Sequence, residues 1–526
     1  MTRKWWTLTA VSVATFMLLL DITVVNTALP SIARSLHASF DDLQWVIDAY
    51  TLALAAIVLT AGSLADRFGR RLIFAAGLGI FALSSLAAGL APDPTFLNVA
   101  RAIQGIGGAA MFAVSLALVA QEFPAGRERG TAMGIYGATI GISVAIGPLI
   151  GGAITDGLGW RWVFFFNVPV AAAALAATYL KVRESRDPNA TGVDWLGLGT
   201  LSGGLFLLVL ALLRGNNDGW LSGQIIAELA GSVALLVAFI AVERTVAEPM
   251  LPLSLFRRGA FTGVQLAALG VSASLFALFL YLTLYLQNYL HTSPFQAGLR
   301  YLPITLGAFL AAPIAGALLS RVPARALMAL GLAGTGAGLL LMSGLHANSD
   351  WTVLLPGFIV GGLAVGILNP VIADVALSVV PKDRSGMAAG VNDTFRQIGV
   401  AIGTAAWGAI FLAHGSSKVS ALLAGTPGGA HGRPRQLLEA LTGGHLTAVT
   451  RGIPQGARGA VTAATHQGFL TGLNSILIIG ALVAFVSAGL ALWLVREREI
   501  ERDLPRDLTP ELVSQKEAQA VEYLAA

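Results

Sequence analysis

Long apolar stretches alternate with short polar segments along most of this chain. A helix needs roughly 20 mostly apolar residues to cross the hydrocarbon core of a bilayer. Stretches of that length occur fourteen times, and we predict a membrane-spanning helix for each of them. The predicted spans are 6–28, 42–61, 72–91, 96–122, 131–155, 161–180, 194–213, 223–242, 261–287, 297–319, 326–344, 351–379, 387–413 and 469–495.

The composition supports this pattern and excludes other classes of protein. Hydrophobic residues make up 55% of the chain and charged residues 12%, with a mean hydropathy of +0.73. Soluble domains carry about 25% charged residues, so a soluble, disordered or fibrous protein is excluded. The net charge of +4 is spread over short loops, which does not indicate nucleic-acid binding. Cysteine is absent, which excludes disulfides, thiolate metal sites and a cysteine nucleophile.

The distribution of basic residues predicts the orientation in the membrane. With the N-terminus inside, the short cytoplasmic loops hold seventeen Lys and Arg residues and the short outer loops hold three. Basic residues are enriched on the cytoplasmic side of membrane proteins. We therefore expect both termini to be cytoplasmic and the protein to lie in the cytoplasmic membrane, crossing it many times.

A weak internal repeat predicts the domain organisation. Residues 62–77 and 316–331 match when shifted by 254 positions, with Gly and Arg recurring at four places. Two similar halves are typical of secondary transporters. We predict an N-terminal six-helix bundle at 1–185, two inserted helices at 186–250, a C-terminal six-helix bundle at 251–500 with a long external loop at 414–468, and a cytoplasmic tail at 501–526.

Six short motifs in order resemble one transporter family. They are Leu20 to Pro30 (LDITVVNTALP), Gly62 to Arg71 (GSLADRFGRR), Arg101 to Gly108 (RAIQGIGG), Gly141 to Gly152 (GISVAIGPLIGG), Trp160 to Pro169 (WRWVFFFNVP) and Ser293 to Gly298 (SPFQAG). Together they resemble the fourteen-helix drug:proton antiporter branch of the major facilitator superfamily. The resemblance covers nearly the whole chain and implies an all-α integral membrane fold of two six-helix bundles around a central cavity. The second-half copy of the loop motif has Ser320 in place of its acid.

The loop between predicted spans 2 and 3 is a candidate gate. Its residues of interest are Gly62, Asp66, Arg67, Gly69 and Arg71. The glycines permit tight turns and close helix approach. The carboxylate can pair with either named arginine or lie at the N-terminus of a helix from the other half, where the helix dipole favours an anion. The resemblance implies the latter, as a latch that holds the inner gate closed. A basic loop that only sets topology is the alternative.

Two opposite charges lie inside predicted spans, Asp21 in the first and Arg101 in the fourth. Charges within a membrane are costly and are functional candidates by default. Their expected depths differ by about 4–5 Å at 1.5 Å per residue, which an arginine side chain can reach across. The resemblance places both helices at the central cavity, so we expect a proton-coupling pair. A static pair that fixes helix packing is the alternative. Asn26 and Gln104, from the same motifs, are cavity candidates.

The fifth-span motif contains Gly147, Pro148, Gly151 and Gly152. Such residues weaken a helix locally and allow close contact with the opposite half. The resemblance implies a hinge or seal specific to antiporters, and ordinary small-residue packing is the alternative.

The second half contains a possible second polar site at Asp374, Asp393 and Arg396. The last two are three residues apart on one helix and can pair along its face. A second protonation or cation-binding site is the alternative to such a self-satisfied pair.

Missing motifs narrow the function further. The chain has no GxxxxGK[ST] for ATP, no HExxH and no cluster of histidines, so we expect no cofactor, no metal and no enzymatic activity. Transport energy must then come from an ion gradient. We expect a monomeric antiporter that exchanges protons for small hydrophobic or amphipathic compounds, such as drugs, antibiotics or related metabolites. Proton-coupled uptake of a nutrient on the same fold and a non-transporting membrane scaffold or sensor are the alternatives.

Overall fold

The computed structural model is helical throughout the part of the chain that it describes, and that part contains no strand. In a bilayer, backbone N–H and C=O groups find no water, so an apolar segment satisfies them within its own helix. The structure describes residues 2–38, 40–123, 127–186, 194–246, 249–319, 321–381, 384–424, 434–443 and 446–500.

The first half of the chain consists of five long helices and two shorter ones. They are α1 (Arg3–Leu36), α2 (Phe40–Phe68), α3 (Arg70–Gly89), α4 (Pro94–Glu122), α5 (Arg127–Gly157), α6 (Arg161–Phe165) and α7 (Asn167–Lys181). Two further helices follow, α8 (Trp195–Asp218) and α9 (Gly223–Thr245).

The second half opens with a 3₁₀ turn at Leu253–Arg257 and a helix interrupted by π-turns. Its helices are α10 (Gly259–Val271), α11 (Ala277–Leu284), α12 (Pro294–Arg300), α13 (Leu302–Leu318), α14 (Ala324–Met342), α15 (Leu355–Ser378), α16 (Ser385–Leu423), α17 (Pro434–Thr442), α18 (Leu446–Thr450) and α19 (Gln455–Leu494).

The predicted all-α membrane fold is confirmed. Among the described residues, twelve helices are long and apolar enough to cross a membrane. The two other predicted spans, 131–155 and 297–319, fall on α5 and on α12 with α13. Every predicted span thus coincides with helix, and the count of fourteen crossings stays a prediction for those two.

Polar caps end the helices where the sequence turns between spans. The Asp93 carboxylate accepts a hydrogen bond of 2.8 Å from the backbone N–H of Phe96, with Pro94 in the first turn of α4. Ser293 and Gln296 form a reciprocal capping box at the start of α12. Such caps satisfy N–H groups that have no partner within the helix. The short connections let neighbouring helices run antiparallel.

Helix packing follows the expected two halves. In the first, α2 and α3 pack on α4, and α1 packs on α5. In the second, α13 and α14 pack on α15, while α14 and α16 pack on α19. The halves meet where α5 contacts α13 and α2 contacts α16. Helices α8 and α9 pack on each other, and α8 lies against α2 and α16. The domain boundaries given above stay predictions.

The external loop expected at 414–468 is shorter and more structured than the sequence indicates. Helix α16 continues to Leu423 and α19 already begins at Gln455. Between them, α17 buries Leu437, Leu438 and Leu441 against α16 and α19. Gly, Ser and Thr along these helices interrupt the apolar pattern, and such residues are also typical of loops. Residues 425–433, 444–445 and the tail 501–526 lie outside the described part.

Candidate functional site: a buried ion pair and the inner ends of the two halves

Asp21 and Arg101 form a direct ion pair inside the first half. Asp21 lies on α1 and Arg101 on α4, and the Arg101 Nη1 to Asp21 Oδ2 distance is 2.5 Å. Their side chains are 0% and 1% exposed. A buried ion pair of this kind is retained only if further hydrogen bonds offset the cost of removing both charges from water.

Two amide side chains complete the hydrogen bonding of Asp21. Gln104 and Asn167 donate to Asp21 Oδ1 from Nε2 at 3.1 Å and from Nδ2 at 2.7 Å. Both amides also donate to the Ser85 hydroxyl, at 2.7 and 3.0 Å. The carboxylate therefore joins side chains from α1, α3, α4 and α7. We call Asp21, Ser85, Arg101, Gln104 and Asn167 the carboxylate network.

Arg101 is equally well supplied with partners. Its Nε donates to the Val46 carbonyl at 3.0 Å, and its Nη1 donates to Gln104 Oε1 at 2.6 Å. The guanidinium carbon also lies 4.3 Å from the centroid of the Tyr50 ring, which places the cation over an aromatic face. The site is thus buried and densely hydrogen-bonded, and any change in the charge of Asp21 alters contacts on several helices at once.

The sequence interpretation of this site was incomplete. Gln104 is a cavity candidate by sequence, but in this structure it is fully buried and belongs to the carboxylate network. Asn167 lies in the motif from Trp160 to Pro169 and Ser85 lies in an apolar span, and the sequence analysis predicts a role for neither. Each is a lone polar residue in an apolar span, and this pattern does not identify a hydrogen-bond partner. The Asn26 side chain lies outside the described part.

Asp66 holds the two halves together at one end of the bundle. Its carboxylate accepts hydrogen bonds from the backbone N–H groups of Gly386 at 2.9 Å and Met387 at 2.7 Å. Both amides are in the first turn of α16, in the other half, where the helix dipole favours an anion. We call the end of the bundle that carries residues 62–71 the inner end.

Arg70 is the ionic partner of Asp66. The Arg70 Nη2 to Asp66 Oδ1 distance is 2.8 Å, and both side chains are buried. The sequence predicts Arg67 or Arg71 as the ionic partner of Asp66, and the structure has Arg70 instead. Arg71 instead lies 3.8 Å from the Glu184 carboxylate in the same half. The break between α2 and α3 sets which arginine faces Asp66, and the sequence does not reveal its geometry.

The two glycines of this loop have different roles. A Cβ atom on Gly62 would collide with the Gly386 carbonyl, so the backbones of α2 and α16 meet here. Gly69 has a φ of 123°, a conformation that favours glycine, and it separates α2 from α3. Gly62 therefore serves the contact between the halves and Gly69 serves the turn.

A second backbone contact joins the halves at the inner end. Gly130 of α5 lies against Gly316 of α13, and a Cβ atom on either would collide with the other. Beside them, Arg129 Nε lies 3.4 Å from the Asp374 carboxylate of α15. The corresponding acid of the loop motif is replaced by Ser320, which lies outside the described residues. At this second contact the acid of the ion pair, Asp374, therefore comes from α15 and not from the loop that follows α13.

Gly147 and Gly151 of the fifth-span motif do not reach the opposite half, whereas a Cβ atom on Gly141 would lie 3.9 Å from Ala308 of α13. Gly147 packs against Thr23 and Gly151 against Thr27, both on α1 of the same half. The expected contact with the other half is therefore wrong for these two residues. Gly152 has no neighbouring atom within 4 Å of its Cβ position, and the Pro148 side chain lies outside the described part. The residues of α5 that do face the other half are nearer its start.

The expected second polar site is divided in the structure. Asp374 pairs with Arg129 at the inner end, whereas Asp393 lies on α16 and is 2% exposed. Arg396 donates to the side-chain oxygens of Asn392 and Asn369, each at 3.2 Å. Within the described part of the chain, Asp393 Oδ2 has no hydrogen-bond partner. The predicted pairing along α16 thus forms no hydrogen bond, and one carboxylate oxygen is buried alone.

Comparison with known proteins places this chain in a family. The sequence matches the family model of the Major Facilitator Superfamily over residues 11–404. It is 40% identical over 411 residues to the puromycin resistance protein Pur8 of Streptomyces alboniger, which covers 77% of this chain and 81% of that protein. It is 33% identical over 511 residues to the tetracenomycin C resistance and export protein of Streptomyces glaucescens, covering 96% and 94%.

Solved structures share the fold. The human organic anion transporter MFSD10 aligns with a TM-score of 0.59 at 15% identity, over 93% of this chain and 99% of that one. The proton:xylose symporter XylE aligns with a TM-score of 0.56 at 16% identity, over 86% and 96%. The chain is thus a multi-pass membrane protein of the Major Facilitator Superfamily, and its predicted resemblance to the drug:proton antiporter branch is confirmed.

Proposed function

We propose that this protein exports small hydrophobic or amphipathic compounds, such as drugs, antibiotics or related metabolites, across the cytoplasmic membrane in exchange for protons. Relatives that match most of its length are named for puromycin resistance and for tetracenomycin C resistance and export. A third, 36% identical over 407 residues, is named a multidrug resistance protein. The protein is then a transporter and not an enzyme.

One observation carries the proton-coupled part of this proposal. Asp21 is buried in the membrane region and takes hydrogen bonds from three side chains on two other helices. Protonation of its carboxyl removes the charge that attracts Arg101 and the two amides. The four helices of the carboxylate network then lose a shared anchor, so proton binding favours a different arrangement of the first half.

The contacts at the inner end account for the conformational change in this proposal. The halves meet there through glycine backbones, one capped helix and the Arg129–Asp374 ion pair. These contacts are local and polar, so they can break without exposing a large apolar interface. We propose that their release opens the bundle to the cytoplasm, and that rocking of the two halves moves the substrate by alternating access.

Asp393 is a candidate for a second protonation site or for binding a cationic substrate. An ionised carboxylate with one unpaired oxygen is costly in a dry site. A proton or a cation bound there relieves this cost. The observation that favours it is the unpartnered Oδ2 atom, while Arg396 already has amide partners.

Two other functions make different predictions. Proton-coupled uptake of a nutrient would raise the cellular level of a transported compound, and a membrane scaffold or sensor would leave it unchanged. Cells that express the protein should accumulate less of a fluorescent lipophilic dye than cells without it. Higher accumulation would favour uptake, and equal accumulation with a range of dyes would favour the scaffold.

The decisive experiment measures flux in proteoliposomes with an imposed pH difference. The parent protein should move a lipophilic substrate against its own gradient only when protons flow in the opposite direction. The Asp21→Asn variant should lose this uphill movement, whereas Asp218→Asn should retain it, because Asp218 forms a half-exposed pair with Arg214. Equal uphill transport by Asp21→Asn would contradict the proposed coupling.

Location and oligomeric state belong to the same proposal. We propose a monomer in the cytoplasmic membrane with both termini in the cytoplasm, the orientation that places seventeen basic residues of the short loops inside and three outside. Reporter fusions after Ala526 should read cytoplasmic, and fusions between residues 425 and 454 should read external. A periplasmic C-terminus would contradict the orientation.

A further inference from the structure

A cavity of about 470 Å³ lies between the inserted helices and the inner ends of both halves. Its walls come from α2, α8, α9, α16 and the 3₁₀ turn at Leu253–Arg257. Its lining residues include Leu59 from the first half, Leu205 and Phe239 from the two inserted helices, and Val391 from the second half. Ligand pockets in proteins commonly have volumes of about 300–1,000 Å³ and mostly apolar walls. The cavity is therefore large enough for a ligand.

Among the residues that the structure describes, Arg244 is the only charged one that lines this cavity. It lies in the last turn of α9, at the inner end, and its side chain is exposed. The neighbouring Glu243 does not line the cavity: its side chain is buried and accepts a hydrogen bond from the backbone N–H of Leu251. The cavity thus combines an apolar interior with a positive charge at its inner mouth.

The depth of the cavity matches one leaflet. The lining residues of α9 run from Leu236 to Arg244, which is about 12 Å along a helix. Half of a bilayer hydrocarbon core is about 15 Å thick. An acyl chain that enters here therefore lies within the leaflet on the inner side, with its head group at the level of Arg244.

We propose that this cavity binds an anionic phospholipid of the inner leaflet, with an acyl chain in the apolar interior and the phosphate at Arg244. Charge complementarity decides the head group, since the described lining residues include one base and no acid. Basic residues at the membrane surface attract anionic lipids. This site lies apart from the carboxylate network. Its assignment to the inner leaflet rests on the proposed orientation in the membrane and not on the proposed export activity.

Binding here favours a closed inner end. Leu59 and Val391 belong to opposite halves, and the Cβ position of Gly390, next to Val391, lies 3.0 Å from the Leu59 Cα atom. The walls therefore come together only when α2 and α16 are in contact. A lipid that fills the cavity binds this conformation better than one with the halves apart, and so stabilises it.

The site can be tested without any transport measurement. The purified protein is placed in phosphatidylcholine nanodiscs with a trace of phosphatidylglycerol that carries a photoactivatable group on one acyl chain. Mass spectrometry then maps the labelled peptides. We expect labels concentrated on α8, α9 and the first half of α16. Arg244→Gln should reduce labelling about fivefold, as expected for one basic residue at a lipid surface.

Two further variants separate the site from general effects. Arg183→Gln removes an exposed charge from another loop at the inner end and should label like the parent. Ile240→Trp adds bulk at a half-exposed lining position and should reduce labelling by any lipid. Even labelling around the bundle, or equal labelling by a phosphatidylcholine probe, would overturn the proposal. Displacement of the probe by a lipophilic dye but not by unlabelled phosphatidylglycerol would also overturn it.

The conformational effect has its own readout. Spin labels on cysteines introduced at Leu72 and Arg325 report the distance between the halves at the inner end, since both positions are exposed and the chain has no native cysteine. Adding phosphatidylglycerol should increase the population at the short distance in the parent but not in Arg244→Gln. An unchanged population in both would overturn the stabilising role.

Discussion

Gly130 of α5 and Gly316 of α13 meet backbone to backbone across the two halves. Gly62 and Gly386 make the equivalent contact on the other side of the inner end. The two contacts correspond through the internal repeat, because residues 62–71 and 316–325 are its matching segments. Their polar parts differ: one has the Asp66 helix cap, and the other has an ion pair supplied by Asp374 of α15.

Adding a side chain at this contact should hold the inner end open. Gly62→Val places bulk against the Gly386 backbone, and such overpacking costs about 1–3 kcal/mol, or roughly a 5- to 150-fold shift in a conformational equilibrium. We expect longer distances between spin labels at positions 72 and 325 and loss of export. Gly79→Val is the matched control, because the Gly79 Cβ position on α3 has open space. Normal export by Gly62→Val would contradict the role of this contact.

Removing the charge of Asp66 should weaken the closed inner end without abolishing it. Asp66→Asn keeps one acceptor for the α16 amides but loses the interaction with the helix dipole, worth about 0.3–1 kcal/mol and up to ~2 kcal/mol when buried. It also leaves Arg70 buried beside a neutral group. We expect the spin-label distribution to broaden. Arg71→Gln should have little effect, because its pair with Glu184 is half-exposed. An unaltered distribution in Asp66→Asn would show that the amides of Gly386 and Met387 do not need a charged partner.

The contact of Asp66 with the N-terminus of α16 was expected from the family resemblance of residues 62–71. The residue types alone left a pair with Arg67 or Arg71 equally open. The sequence could not show that Arg70 pairs with Asp66, because the register across the turn at Gly69 depends on the three-dimensional break. It also could not assign Gly147 to α1, since a stripe of small residues fits any close neighbour.

The sequence also could not identify which polar residues from distant spans bind each other. Ser85 and Asn167 are single polar residues in apolar spans. Asn167 reaches Asp21 because α7 packs on α1, and Ser85 joins through Gln104 and Asn167 because α3 packs on α4 and α7. A carboxylate and an arginine inside predicted spans can be matched by depth and charge. Two neutral residues offer neither criterion.

Asn167 should orient Asp21 and so affect both stability and coupling. Asn167→Leu removes the 2.7 Å hydrogen bond to Asp21 Oδ1 and leaves a buried acceptor short of one donor. Leaving a buried polar group unsatisfied costs about 1–3 kcal/mol. We expect a lower melting temperature in detergent and a shifted pH profile of export. Asn167→Asp keeps the shape but adds a second anion and should be worse than Leu. A normal pH profile in both would make Asn167 a packing residue only.

Arg101 should be more sensitive to substitution than Asp21. Arg101→Ala leaves Asp21 as an unpaired buried charge, and breaking a buried pair in this way costs about 3–5 kcal/mol. We expect little folded protein after detergent extraction. Arg101→Lys keeps the charge but cannot serve Asp21, Gln104 and the Val46 carbonyl together, so partial export should remain. Full export by Arg101→Ala would show that the ion pair is not required.

Replacing Asp393 by asparagine should affect stability less than replacing Asp21. Its Oδ2 atom is buried without a partner in the described structure, so the ionised form carries a burial cost that an asparagine avoids. Asp393→Asn should therefore destabilise the fold less than Asp21→Asn, because Arg396 keeps its hydrogen bonds to Asn392 and Asn369 whereas Arg101 loses its hydrogen-bonded counter-charge. If Asp393 binds protons or a cationic substrate, the same Asp393→Asn protein should lose coupled export or the ability to export cations while still exporting neutral compounds. Comparing melting temperature with flux of one cationic and one neutral substrate separates these outcomes.

A variant that is destabilised and transports both substrates equally well would instead mark Asp393 as a packing residue of α16. The Arg396 hydrogen bonds to Asn392 and Asn369 should persist in either case, since they do not involve Asp393.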